Sequence, residues 1–205
     1  SVRLQDEYLW GIGEVPSSWP TEALDAQAIA SRTYALAKST KIRRACDCHL
    51  YATISDQNFA GYSKESEPRF GELWKAAVNR TAGAVITYAG TPITAYFSSS
   101  SGGTTETSEH AWGTVTPYTV SVADSASVDI AFNPRYASWT REISQKVIAQ
   151  AFALPDVIAL SVLSKNPAGS VALIQAISSD GSFALLRGET FRSRSKLPSA
   201  WFSLK

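Results

Sequence analysis

The sequence predicts an α+β fold of mixed helices and antiparallel hairpins, on three observations. Helical periodicity is strong over residues 21–39 and 70–83; alternating apolar stretches pair around short turns; and no regular strand–helix alternation links them into a doubly wound sheet. We expect a single domain with two lobes around a substrate groove, the lobe boundary lying near residues 130–140. With 205 residues, 44% of them hydrophobic, the chain can bury a core without a metal or disulfide scaffold to fold around.

Leu4, Tyr8, Leu9 and Ile12 recur at helical spacing, and Gly11 and Gly13 then loosen the end of that run, leaving Glu14 just past a short helix. Thr21 is placed to cap a second helix, whose Ala23, Leu24, Ala28, Ala35 and Leu36 continue to Ser39 with no internal Gly or Pro. Gln27, Ser31, Arg32 and Tyr34 crowd into this alanine-rich segment, so some of them lie near a buried face. Residues 40–69 lack sustained periodicity and read as an ordered loop with short pieces of strand; a stretch that long is functional or braced. In the third helix, residues 70–83, Phe70, Leu73, Trp74 and Ala77 share one side and Gly83 is placed for the stop. A hairpin turning at Ala89-Gly90-Thr91 ends at Phe97, and the polar run SSSSGGTTETSEHAWG follows it. A helix near residues 144–152 precedes two strands, SVALIQAIS and FALLRG, joined at Ser179-Asp180-Gly181.

Nineteen basic and eighteen acidic residues leave a formal charge of +1 with no basic block, which argues against nucleic acid and anionic membranes as partners. No apolar run has the roughly 18 to 20 residues of a bilayer span, and the chain opens on Ser1 without a charged-then-apolar leader, as a trimmed soluble domain would. Six Trp, eight Tyr and eight Phe suit a core and equally a groove that stacks sugar rings.

Glu14 becomes a general acid if Trp19, Tyr34 or other apolar surface desolvates it; otherwise it is a solvated helix end. A glycosidase using water needs a second carboxylate, and Asp6, Glu22, Asp25 and Asp56 are candidates that no spacing separates. Cys46 and Cys48 form either a short-range disulfide or, with His49, part of a metal cluster. Ser98 to Ser101 with His110, oriented by Asp124 or Glu109, admit a serine-hydrolase reading, although no GxSxG elbow is present and a polar loop is the simpler account. Arg32 binds an anionic group such as a lactyl carboxylate, or pairs with Glu14 or Glu22.

The stretch EYLWGIGEVPSSWPTEALDAQAIASRTYAL resembles the N-terminal signature of the stage II sporulation protein D family, the amidase-enhancer family of bacterial cell-wall proteins. DQNFAGY, AVNRTAGAVITYAGTPITAYFSSSSGGTTE, AWGTVTPYTVSVAD and the ending GETFRSRSKLPSAWFSL follow in the family's order. The resemblance implies a lytic transglycosylase acting on peptidoglycan glycan strands, in sporulation members preferably strands stripped of stem peptides. Glu14 matches the catalytic glutamate, and a single carboxylate suffices because the nucleophile is the substrate's own C6 hydroxyl. Arg32, Gln27 and the loop Ser99, Ser100, Ser101, Gly102 and Gly103 would line the groove, with Tyr96 and Trp112 offering ring faces to sugars.

Some sporulation members carry a zinc site just before the glutamine matching Gln57, where this chain has Ser55 and Asp56. Cys46 and Cys48 lie upstream of those ligands, so we expect no zinc there and no cofactor, a rearranged site with His49 being the alternative. The expected partners are glycan strands and a cell-wall amidase, for a monomer at an extracytoplasmic location, in the cell wall or membrane-associated through a segment outside this sequence. A non-catalytic module that holds glycan and stimulates an amidase is the competing reading.

Overall fold

The structure, a computed structural model, describes all 205 residues, which form two compact units, Ser1–Phe97 and Ser98–Lys205. The fold is α+β, as the periodicities imply. The division falls at Phe97 and Ser98 rather than near residues 130–140. No helix is long and apolar enough to cross a membrane.

The first unit begins with a π-helical turn, Leu4–Tyr8, shorter than the expected helix. Helix α1 spans Thr21–Lys38. Thr21 is its first helical residue and not its cap; Pro20 stands at the cap position, with its φ of −54° already suited to helix entry, and no side chain caps the end. The loop beyond α1 is ordered by turns and isolated bridges and contains one helical turn, α2, Tyr62–Glu65. Helix α3, Gly71–Arg80, packs on α1. Leu9, Ile12, Leu24, Ala28, Trp74, Ala77 and Val78 bury themselves between these pieces. Trp74 is wholly enclosed, and its indole N–H donates to the Leu9 carbonyl at 2.9 Å, so the polar end of the ring is satisfied while the rest fills the core. A hairpin closes the unit: β1, Thr87–Tyr88, pairs with β2, Thr91–Pro92, around Ala89 and Gly90, both at positive φ as a primed turn requires. It is shorter than the alternation suggests, because Pro92 has no N–H to continue the ladder.

In the second unit, α4, Ser108–Trp112, is capped by Thr107, and α5, Gln145–Phe152, by Ser144. Three strands, β3 (Ala159–Lys165), β4 (Val171–Ile177) and β5 (Phe183–Arg187), form an antiparallel sheet in that order, followed by α6, Gly188–Arg194. Ile174 and Ala176 turn one face of β4 inward, where Phe152, Val171, Phe191 and Leu197 join them. Strand β3 is absent from the sequence reading because its register shifts after Val162 and mixes apolar with polar positions.

Candidate functional site

Glu14 is positioned by a backbone exchange between two segments. The Gly13 N–H donates to the Asn58 carbonyl at 2.8 Å, the Ala60 N–H donates to the Gly11 carbonyl at 2.8 Å, and the Asn58 side-chain amide donates to the Gly13 carbonyl at 3.0 Å. Gly11 permits this approach: a Cβ there would stand 2.5 Å from the Phe59 ring and 2.9 Å from the Gly61 Cα. The glycines that looked like loosening residues are thus the site of closest packing. Ile12 and Val15, buried on either side, leave Glu14 half-buried at the surface.

One carboxylate oxygen of Glu14, Oε1, accepts the Asn58 backbone N–H at 2.7 Å; Oε2 accepts no hydrogen bond. The side chain lines a hollow of about 360 Å³ together with Pro16, Ser63, Lys64 and Glu67. Under the turn, the Lys64 ammonium, 7% exposed, donates to the Val15 carbonyl at 2.7 Å and to Glu67 at 3.2 Å, and Glu67 also accepts the buried Ser17 hydroxyl at 2.7 Å. A buried ammonium is stable only when its donors are taken up, and here a carbonyl, a carboxylate and the Trp74 ring face, 5.8 Å away, surround it. The Ser17 hydroxyl, aided by Lys64, holds the Glu67 carboxyl below the usual glutamate range against the effect of burial.

On the other side, Gln57 is fully buried and accepts the Tyr8 hydroxyl at 3.0 Å, while Tyr8 stacks on Phe59 at 5.5 Å. Burial, and then the charge of Asp56, push Tyr8 well above the ordinary phenol value; Tyr34 is pushed up by burial and by its hydrogen bond to Asp56. Both remain neutral donors through the physiological range.

Residues 3–88, most of the first unit, match the family model described as stage II sporulation protein. Over this stretch the chain is similar to the stage II sporulation protein D family. It is 35% identical over 133 residues, 65% of the chain, to the amidase enhancer of Bacillus subtilis (strain 168), of which it covers 16%. It is 33% identical over 129 residues, 57% of the chain, to stage II sporulation protein D of the same organism, of which it covers 37%. An uncharacterized protein of Brachyspira hyodysenteriae (strain ATCC 49526 / WA1) is 33% identical over 117 residues, 55% of the chain and 30% of that protein. The chain therefore spans well under half the length of each of these relatives.

Of the residues the family resemblance pointed to, the structure brings only Glu14 to the hollow in the first unit. Arg32 is buried and turned inward, donating to Gln5 Oε1 at 3.1 Å, to the carbonyls of Val78 and Ala84 at 3.0 Å each, and to Thr81 at 3.3 Å. It joins α1 to the end of α3, which is a structural pairing, with neither Glu14 nor Glu22 as partner. Gln27 is half-buried and donates to the buried Ser31 hydroxyl. Tyr96 is exposed in the first unit.

In the second unit, Trp112 is exposed at the end of α4. The serine loop is knotted onto residues 124–127: Ser101 Oγ donates to Asp124 at 2.8 Å and lies 2.9 Å from Ser127 Oγ, which accepts the Gly103 N–H at 2.8 Å. Asp124 thus holds Ser101 directly with no imidazole between them, and the His110 Nδ1 is buried without a partner, so a Ser–His–Asp relay is not assembled.

Cys46 and Cys48 are joined in a disulfide, which leaves no thiolate for a rearranged zinc site with His49. The zinc position of sporulation members of the family does not fit either. Both oxygens of Asp56 are engaged, Ser55 is exposed, and no group of three or more His, Cys, Asp or Glu side chains gathers anywhere in the chain. Lys64, Glu67 and Asn58 were missed in the sequence. Asn58 lies within the DQNFAGY stretch, but nothing in the sequence assigns it a role, and nothing in the spacing links Lys64 and Glu67 to Glu14.

Proposed function

We propose that this domain acts in the bacterial cell wall as a lytic transglycosylase that cleaves the bond between N-acetylmuramic acid and N-acetylglucosamine in glycan strands, including strands stripped of stem peptides. The observation that carries the reading is the half-buried Glu14 carboxylate, fixed through one oxygen and unbonded at the other beside an open hollow, on a segment that matches the stage II sporulation protein D family.

In its protonated form Glu14 gives its proton to the glycosidic oxygen as the bond to muramic acid C1 breaks. The resulting carboxylate then takes the proton of the same sugar's C6 hydroxyl as that oxygen bonds to C1. The product is a 1,6-anhydro end, no water is consumed, and Glu14 finishes protonated, ready for the next bond. The Asn58 N–H fixes the orientation of the carboxyl group through Oε1 and leaves Oε2 as the oxygen that exchanges the proton. No step runs through a metal or cofactor. The working location is extracytoplasmic, where peptidoglycan lies.

The name of the relative from Bacillus subtilis supports a second reading, in which the same surface holds glycan and stimulates an amidase without cleaving the strand itself. Mass spectrometry of glycan strands, with and without stem peptides, after incubation with the native protein or with Glu14→Gln separates the two. Anhydro-muramyl ends from the native protein alone support the transglycosylase. Intact strands in every sample, with an added amidase accelerated equally by both proteins, support the enhancer.

A further inference from the structure

Asp56 gathers donors from three separate stretches of the first unit. Its Oδ1 accepts from the Tyr34 hydroxyl on α1 at 3.0 Å and from Arg43 Nη2 at 2.7 Å, and its Oδ2 accepts the Tyr51 N–H at 2.8 Å. The Asp56 side chain is only 2% exposed, so these bonds act in a low-dielectric setting and fix the carboxylate far more firmly than a surface ion pair would. Arg43 is itself held. Its N–H donates to the Cys48 carbonyl at 2.8 Å, its guanidinium lies over the Tyr51 ring at 5.0 Å, and the Cys46–Cys48 bond closes the turn on which it stands.

Two residues after Asp56, the Asn58 N–H meets Glu14 at 2.7 Å, and the residue between them, Gln57, is fully buried against Tyr8. Only one peptide unit therefore separates a rigid anchor from the donor that orients the Glu14 carboxyl group. The Asn58 side chain is exposed; its amide donates to the Gly13 carbonyl at 3.0 Å and the Asn58 backbone carbonyl accepts the Gly13 N–H at 2.8 Å, which tie Asn58 to the Glu14 turn from one side while Asp56 holds the chain on the other. We propose that Asp56 is a positioning residue for Glu14. With Arg43 it anchors the loop so that the Asn58 N–H meets the carboxylate, and the disulfide-closed turn serves this site by presenting Arg43.

The inference rests on Glu14 being the working carboxylate, and its test has a readout that does not depend on turnover. In ¹⁵N-labelled protein the Asn58 amide proton, donating to a carboxylate, resonates downfield, and Glu14→Gln moves it upfield. Asp56→Asn can no longer accept on both oxygens. It is expected to move the Asn58 amide in the same direction and to speed its exchange at least about tenfold, with Arg43→Gln intermediate. On glycan strands, Asp56→Asn is expected to lower kcat about tenfold or more with KM little changed, since a small misplacement of a reacting group is costly in rate; Arg43→Lys recovers more activity than Arg43→Gln.

An unchanged Asn58 amide in Asp56→Asn overturns the inference, even where Glu14→Gln abolishes product and the transglycosylase reading stands. If neither native protein nor Glu14→Gln releases anhydro ends, that reading falls and the amide measurements alone decide the role of Asp56. Should Asp56→Asn fail to fold, Arg43→Gln decides it: a displaced Asn58 amide supports the anchor, and an unmoved one overturns it.

Discussion

The Glu14 turn and the serine loop are both polar segments that follow apolar runs, yet the fold treats them in opposite ways. At Glu14 the surrounding backbone is paired, the buried Lys64 and Ser17 fix the turn from beneath, and the carboxylate itself is left with one unbonded oxygen. In the serine loop, Ser100, Ser101, Asp124 and Ser127 bond to one another and to nearby backbone, so the side chains spend their hydrogen-bonding capacity inside the unit. A loop rich in hydroxyls reads from sequence as ligand-facing, but hydroxyls are also the side chains best able to satisfy a tight backbone turn. The unbonded oxygen distinguishes the first segment from the second.

The largest expected effect is at Glu14. Glu14→Gln should reduce release of anhydro-muramyl ends by about a thousandfold or more while leaving glycan binding intact, measured by product mass spectrometry and by co-sedimentation with strands. Loss of binding together with turnover would show that the carboxylate is structural, and the contrast with the serine loop would collapse.

Arg32 comes next. Removing a buried cation with neutral acceptors on three segments leaves those acceptors unpaired, and Arg32→Ala should destabilise the first unit by about 2 to 3 kcal/mol in urea unfolding. A stable Arg32→Ala protein that bound glycan weakly would restore Arg32 to the ligand surface. Ser101→Ala should cost the second unit about 1 to 2 kcal/mol, because it leaves Asp124 short of a donor. Little change in catalysis is expected from it, and a large fall in kcat at unchanged stability would place that loop at the substrate.

The smallest effect sharpens the account of the Glu14 turn. The Glu67 carboxyl is held below its ordinary value by Ser17 first and Lys64 second. Its contribution to stability is therefore present above the ordinary glutamate range and is lost as the pH falls through the lowered folded value. Ser17→Ala should flatten the acid side of the stability profile, read as urea midpoints at a series of pH values. A steeper acid loss in Ser17→Ala would reverse the sign and place the shift elsewhere.

Much of the fold was legible because it rests on periodicity. Helices α1 and α3 follow from apolar spacing, the first hairpin from Ala89-Gly90, and α5 from the Ser144 cap and its apolar face. What escaped depends on tertiary packing. The register shift in β3 spoils its alternation, and α6 begins at a glycine, so neither announces itself locally. At the candidate site Glu14 was legible from its motif, whereas Lys64, Glu67 and Asp56 act through partners up to 50 residues away in the chain. Arg32 shows the same limit in reverse: a charged residue on an alanine-rich helix looks available, and only the fold reveals four acceptors waiting for it.

Trp201 ties the end of the second unit to its beginning. A Cβ placed on Gly102 would stand 2.5 Å from its indole and one on Gly169 2.6 Å from it, while the Ala200 carbonyl accepts the Val171 N–H at 2.8 Å. The indole thus lies on the loop that opens this unit, and the chain just before it is bonded to the sheet. Beginning and end of residues 98–205 are neighbours in space, the arrangement in which a segment can be excised as a cassette, its ends joined by a short linker and new ends opened at the Asp180-Gly181 turn.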